Sequence, residues 1–198
     1  MQNSYSQQNN IFPELSMGDI VLREKQESDV EDFFGYYCNP EVSKYILCDI
    51  PETFEGARKE LNFWRNIYYR NDGIYYAIAL KKTNQMIGSV GLTGYNSYQN
   101  RIEISYDLSE KFWRRGVMKN AINKIVNFGF NEFAQRLNKK GLNRIEAFVS
   151  TDNIPSKNLL LKCGFTLEGL LRQHRYHKGK FVDVYVFSIL KEDIYGFK

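Results

Sequence analysis

The hydrophobic pattern changes period once in the middle of the chain, and that change locates its most informative stretch. In Arg101 to Leu108, Glu103, Ser105 and Asp107 alternate with Ile104, Tyr106 and Leu108, the period of a half-buried strand. From Val117 the spacing lengthens. Val117, Met118, Ala121, Ile122, Ile125, Val126 and Phe130 recur at intervals of one, three and four, which predicts one face of a long helix reaching about Phe133. Between them, Gly116 permits close backbone approach, and the first helical turn offers N–H groups without helical partners. Those groups and the helix dipole favour an anion, and Arg114, Arg115 and Lys119 place full charges beside it. On spacing alone, an ordinary turn with solvated arginines explains the pattern equally well.

The remaining pattern supplies a frame. Met1 to about Ser16 is rich in Gln, Asn and Ser and reads as a flexible arm, with a single domain over residues 17–198. Asp19 to Arg23 predicts a short strand. A helix carrying Val30, Phe33, Phe34 and Tyr37 follows and is interrupted at Asn39-Pro40. Thr53 caps a second helix over about Phe54 to Tyr69. Ile74 to Leu80, Met86 to Tyr95 and Arg101 to Leu108 form an antiparallel meander. Arg144 to Val149 is a strand that a right-handed crossover through the central helix sets parallel to Arg101 to Leu108. A short helix from Pro155 to Lys162 ends at Gly164, and Phe165 to Tyr176 with Phe181 to Leu190 make a terminal hairpin. The sum is an α/β (α+β) fold: one mixed, mostly antiparallel sheet of seven strands with helices on both faces.

Composition narrows the picture only slightly. At 198 residues, 43% hydrophobic and 15% aromatic, the chain can bury a full core. A net charge of +4 favours anionic ligands but falls short of a dedicated nucleic-acid binder, so neither nucleic acid nor membrane is expected as a partner. Cys38, Cys48 and Cys163 are odd in number and lack metal-ligand spacing; no metal is expected, and a cytoplasmic location fits. The polar start lacks the charged and apolar regions of a signal peptide. His174 and His177, among Arg172, Arg175, Lys178 and Lys180, read as a solvated charged hairpin.

The order of elements resembles the GCN5-related N-acetyltransferase (GNAT) superfamily over roughly Asp19 to Leu190. Two motifs carry the resemblance. Trp113-Arg114-Arg115-Gly116-Val117-Met118 is similar to the acetyl-CoA pyrophosphate loop, (Gln/Arg)-x-x-Gly-x-(Gly/Ala), and departs from it at both ends. Asn153-Ile154-Pro155-Ser156 through Cys163-Gly164-Phe165 is similar to the Asn-x-x-(Ala/Ser)…Gly-Phe helix. The Trp ahead of the loop, Glu168 to Arg172 and Gly179 to Tyr185 further resemble the RimJ/RimL-like ribosomal-protein N-acetyltransferases.

The resemblance implies acetyl transfer from acetyl-CoA, without a metal, to a primary amine. A protein N-terminus is the acceptor implied by the branch. Polyamines, antibiotics and amino-acid derivatives are alternatives within the class, and a non-catalytic acyl-CoA-binding module is one outside it. Monomer and homodimer both stay open. By the same resemblance, backbone N–H groups of Arg114, Arg115, Gly116, Val117, Met118 and Lys119 would hold the pyrophosphate. Tyr106, Asp107 and Leu108 would pair with the pantetheine arm, and Asn153 would hydrogen-bond it. Amine attack on a thioester needs loss of the ammonium proton and stabilisation of the leaving thiolate. Glu103 is the expected base, with Tyr106 and Asp107 as substitutes. Leu160 stands where the family commonly has a tyrosine, so Ser156 becomes the expected donor to the sulfur. A solvated strand residue and a first-turn helix residue are the plain alternatives for Glu103 and Ser156.

Overall fold

The alternating run that ends at Leu108 is an inner strand of a sheet of eight. In the computed structural model, which describes residues 11–136 and 141–196, the strands are β1 (Leu15–Met17), β2 (Ile20–Arg23), β3 (Gly73–Leu80), β4 (Met86–Asn96), β5 (Arg101–Leu108), β6 (Arg144–Ser150), β7 (Thr166–His177) and β8 (Lys180–Leu190). Their order is β1-β2-β3-β4-β5-β6-β8-β7, and among the described residues only β5 and β6 pair in parallel. Helices α1 (Val30–Tyr37), α2 (Pro40–Ser43) and α3 (Phe54–Asn66) join β2 to β3. Helix α4 (Val117–Phe128) and the short α5 (Ala134–Arg136) join β5 to β6. Helix α6 (Ile154–Lys162) joins β6 to β7, and α7 (Lys191–Tyr195) follows β8.

The strand count corrects the expected seven. The additional strand is β1, which pairs with β2 in the register Leu15↔Leu22, Ser16↔Val21 and Met17↔Ile20. Three residues are too few to show alternation, so nothing in the local pattern announces it. Of the flexible arm expected up to Ser16, residues 1–10 lie outside the described residues. Phe12 belongs to the core: it is buried, with edge contacts at 5.1 Å to Tyr68 and 5.0 Å to Tyr76.

Each face of the sheet carries its own layer. The apolar stripe of α4 is buried as its period requires, with Ile122 and Ile125 against Ile74, Tyr76, Leu92 and Ile104. Each such isoleucine contributes about 1.5–3 kcal/mol by leaving water. After Phe128 the helix widens into a π turn, Gly129–Phe133, which brings Phe130 and Phe133 into the same core. On the other face, Phe33, Tyr37, Ala57 and Leu61 of α1 and α3 pack on Ala77 and Met86. Thr53 caps α3 as expected, its hydroxyl accepting from the Gly56 N–H at 3.0 Å. The helix stops at Asn66, three residues before the expected end.

The parallel pair positions the site. Strands β5 and β6 pair only at Arg101↔Arg144, Ile102↔Ile145 and Glu103↔Glu146. Beyond Glu103, β5 continues beside β4 as far as Leu108, while β6 continues beside β8 as far as Ser150. A wedge therefore opens between them toward their C-terminal ends, where β5 leads into α4 and β6 leads into α6. No helix among the described residues is long and apolar enough to cross a membrane.

Candidate active site

At the wide end of the wedge, the turn into α4 is built for an anion. Gly116 is the N-cap with φ of 76°, and no side chain caps the helix, so the first-turn N–H groups face outward. A Cβ at Gly116 would meet nothing within 4 Å, which leaves open space in front of those groups. Arg114 is also left-handed, at φ 59°. That conformation is costly for a residue with a side chain, and such residues concentrate at ligand sites. The loop is fastened from behind: the Trp113 indole N–H donates to the Leu108 carbonyl at 2.8 Å, and the Arg115 guanidinium lies 5.5 Å from the Phe112 ring centre. Arg114, Arg115 and Lys119 are exposed, whereas Val117 and Met118 are buried. The side chains of Val117 and Met118 therefore anchor the helix, and only their backbone is offered outward. This arrangement fits a diphosphate.

Along the wedge, the alternating side chains of β5 separate two chemistries. Tyr106 points toward α6, and its hydroxyl lies 2.8 Å from the Ser156 hydroxyl. Burial pushes the Tyr106 phenol up, so it keeps its proton. Ser156 thus has a protonated hydroxyl as partner, a contact that sequence reasoning missed because it joins residues fifty apart. Asn153 caps α6, its side-chain oxygen accepting from the Ser156 N–H at 3.1 Å. Leu160 is fully buried and holds the same helix to the core. Cys163 is half-buried, and burial pushes its thiol up. All three cysteines are free thiols.

Glu103 faces the opposite side. Both of its oxygens accept from the Arg175 Nη2, at 3.0 and 2.9 Å. Arg175 lies on the Phe148 ring at 5.0 Å, and His174 stacks with the same ring at 5.1 Å. The hairpin is therefore folded back over the sheet rather than wholly solvated. A register shift between Leu171 and Arg175, with Gln173 at φ 51°, re-aims the strand to allow this. Bulges leave no signal in a hydrophobic pattern. Beside Glu103, Arg144 bridges Glu146 and Glu168, and Arg101 also holds Glu146. Arg144 pulls the Glu168 carboxyl down to about 2.

Asp107, on the same face as Glu103, heads a polar cluster that sequence reasoning also missed. The Tyr36 hydroxyl donates to Asp107 Oδ1 at 2.7 Å and lies 3.1 Å from Ser89 Oγ, which accepts from Lys25 Nζ at 2.6 Å. Lys25, Tyr36 and Ser89 are buried, and Asp107 keeps part of its surface open. The Lys25 ammonium also lies 5.2 Å from the Tyr75 ring centre. That ring crosses β4 at Gly91, where a Cβ would stand 2.2 Å from it. Burial pushes the Asp107 carboxyl up to about 6 and pulls the Lys25 ammonium down to about 8, each partly offset by the other's charge.

Residues 19–166 match the family model described as an acetyltransferase (GNAT) domain. The chain is 35% identical over 181 residues to the "Uncharacterized N-acetyltransferase YoaA" of Bacillus subtilis (strain 168), covering 91% of this chain and 98% of that one. Two solved structures share the fold. The ribosomal-protein-S5-alanine acetyltransferase of Vibrio fischeri has a TM-score of 0.77 at 20% identity, over 91% of this chain and 98% of that one. The spermidine N-acetyltransferase of Vibrio cholerae, in complex with CoA and spermine, has 0.73 at 21%, over 89% and 98%. The chain belongs to the GNAT family of acetyltransferases. It is an acetyl-CoA-dependent N-acetyltransferase, with the eight-stranded sheet and the wedge described above. Among the described residues no group of His, Cys, Asp and Glu is arranged to hold a metal.

Proposed function

We propose that the acceptor is the N-terminal amine of a protein. The β7–β8 hairpin supports this reading. Arg175 reaches from it to Glu103. The hairpin thus borders the side of the sheet that Glu103 and Asp107 face. At the hairpin tip, Tyr176 and Phe181 are each 63% exposed with rings 5.1 Å apart. An apolar pair on an open rim suits a polypeptide lying across it, whereas a small amine would need only the enclosed polar groups.

In this reading acetyl-CoA supplies the activated acetyl group. Backbone N–H groups from Arg114 to Lys119 hold its diphosphate. The edge of β5 from Tyr106 to Leu108 takes its pantetheine arm, with Asn153 at the mouth of α6. A strand N–H aimed at the thioester carbonyl supplies about 3–4 kcal/mol, as at other oxyanion sites. Ser156, backed by the Tyr106 hydroxyl, passes a proton to the leaving sulfur. A coenzyme thiol has a pKa near that of cysteine, so this donor adds modestly to the rate.

Glu103, the base expected from sequence, takes a different part. With both oxygens accepting from Arg175, it serves to draw in and orient the ammonium group. Glu103→Gln is therefore expected to raise the acceptor KM about five- to tenfold, the loss of one charge-assisted contact. The change in kcat should stay within about threefold. Steady-state kinetics with a peptide acceptor distinguish the roles: a large fall in kcat at unchanged KM would return the base to Glu103.

The acceptor itself is tested by following thiol release from acetyl-CoA with short peptides, spermidine and free amino acids. Peptides acetylated at the α-amine, located by mass spectrometry, should show the highest kcat/KM. Efficient spermidine acetylation with inert peptides would overturn the assignment.

A further inference from the structure

We propose that Asp107 is the group that takes the ammonium proton from the acceptor, and that Lys25, Ser89 and Tyr36 form a buried positioning chain that holds its carboxylate for that task. The proposal rests on the reading that acetyl-CoA lies along β5. There the backbone of Asp107 contacts the pantetheine end, and its side chain meets the amine from the other face.

The direction of the chain follows from counting protons. Tyr36 has one hydroxyl proton and gives it to Asp107 Oδ1, so at the 3.1 Å contact Ser89 is the donor to Tyr36. Ser89 in turn accepts from Lys25. Every hydrogen bond therefore points toward Asp107, and the cation stands at the far end. Such a line stabilises a carboxylate inside the fold without pairing it directly with a cation. Of the four, only Asp107 is not fully buried. Glu103 differs in its partner: a guanidinium holds both of its oxygens, which suits it to orienting an ammonium group rather than to taking its proton.

The surroundings set the proton affinity. Around Asp107 stand Tyr36 and Tyr37 from α1, Cys48 from the α2–α3 connection, Tyr75 from β3, Ser89 from β4 and Lys25 after β2, and the charge of Glu60 from α3 acts on Lys25, Cys48 and Tyr75. Behind Lys25 lies the buried Arg23–Asp29 ion pair, at 2.7 Å. Burial pushes the phenols of Tyr36, Tyr37 and Tyr75 and the Cys48 thiol up, so they stay protonated around neutrality. Asp107, raised to about 6, is ionised at neutral pH yet basic enough to hold a proton briefly.

Asp107 takes one proton from R–NH3+, and the nitrogen lone pair forms the C–N bond to the acetyl carbon. The C–S bond breaks, and the thiolate leaves with the bonding pair. It takes a proton from the Ser156 hydroxyl, the second proton shed by the nitrogen restores that hydroxyl, and Asp107 returns its own to solvent. The products are the acetylated amine, free coenzyme thiol and one released proton.

The test is the pH dependence of kcat/KM for the full chain with a peptide acceptor, alongside calorimetry with acetyl-CoA. In the wild-type protein kcat/KM should rise with pH through an acidic limb near 6, as Asp107 ionises. Asp107→Asn should lower kcat about 100-fold or more, the usual worth of a general base, and remove that limb while acetyl-CoA affinity changes less than about twofold. Should loss of the charge prevent folding, Tyr36→Phe removes a single hydroxyl. It should shift the limb upward by about one pH unit, because the carboxylate loses a donor. An Asp107→Asn variant that keeps its limb and most of its turnover, or an unmoved limb in Tyr36→Phe, would overturn the proposal. Absent turnover of the wild-type protein on peptides, spermidine and free amino acids alike would overturn it together with the acetyl-transfer reading, whereas loss confined to the variants would not touch that reading.

Discussion

Acetyl-CoA binding is expected to weaken about tenfold or more in a Gly116→Val variant, equivalent to about 1.4 kcal/mol or more, within the cost of a β-branched residue held at positive φ. The free protein has space for the side chain, since a Cβ there meets nothing within 4 Å. The loss therefore arises in two other ways. Valine resists the φ of 76° that turns the chain into α4, so the first-turn N–H groups are re-aimed. Its methyl groups also stand in the space that the diphosphate would take. A control separates strain from binding. Gly196 is likewise left-handed, at φ 59°, but follows α7 at the end of the described chain. Gly196→Val should lower thermal stability by a similar amount and leave the acetyl-CoA dissociation constant unchanged in calorimetry. Equal affinity in both variants would remove Gly116 from the donor site.

Phe133→Ala is expected to cost about 3–5 kcal/mol, the usual range for emptying a buried phenylalanine site. Phe133 is fully buried at the end of the π turn, with Tyr95 and Phe128 ring centres at 6.3 and 6.4 Å. The packed turn fixes how α4 lies on the sheet, and so where its N-terminus meets the wedge. For a chain of this size the loss corresponds to about 6–20 °C in melting temperature. Differential scanning calorimetry measures it directly, and a shift under 3 °C would mean that the cavity collapses around its neighbours.

The elements proposed to seat the donor were largely legible in the sequence, because they lie close together along the chain. The strand to Leu108, the turn at Gly116 and the stripe of α4 are contiguous, and a change of hydrophobic period reports them without knowledge of the fold. The acceptor half was not. Lys25, Tyr36, Ser89 and Asp107 are brought together from the segment after β2, from α1, β4 and β5, across separations of 53 to 71 residues for the Tyr36 and Ser89 contacts. Each alone looks like a polar residue near an element's end. Arg175 was read as solvated because a hydrophobic pattern does not show the bulge that turns it toward Glu103. The strand at Leu15–Met17 and the burial of Phe12 escaped for a related reason, since a polar composition averaged over sixteen residues hides two or three that pack. Local chemistry was readable, and the long-range contacts that direct it were not.

A calorimetric titration of the full chain with acetyl-CoA tests most directly whether the uncapped turn of α4 and the adjoining edge of β5 seat the donor. One saturable site per chain is expected, with affinity that falls as salt rises because Arg114, Arg115 and Lys119 surround the diphosphate. Absence of saturable uptake, or an affinity indifferent to both salt and Gly116→Val, would contradict it.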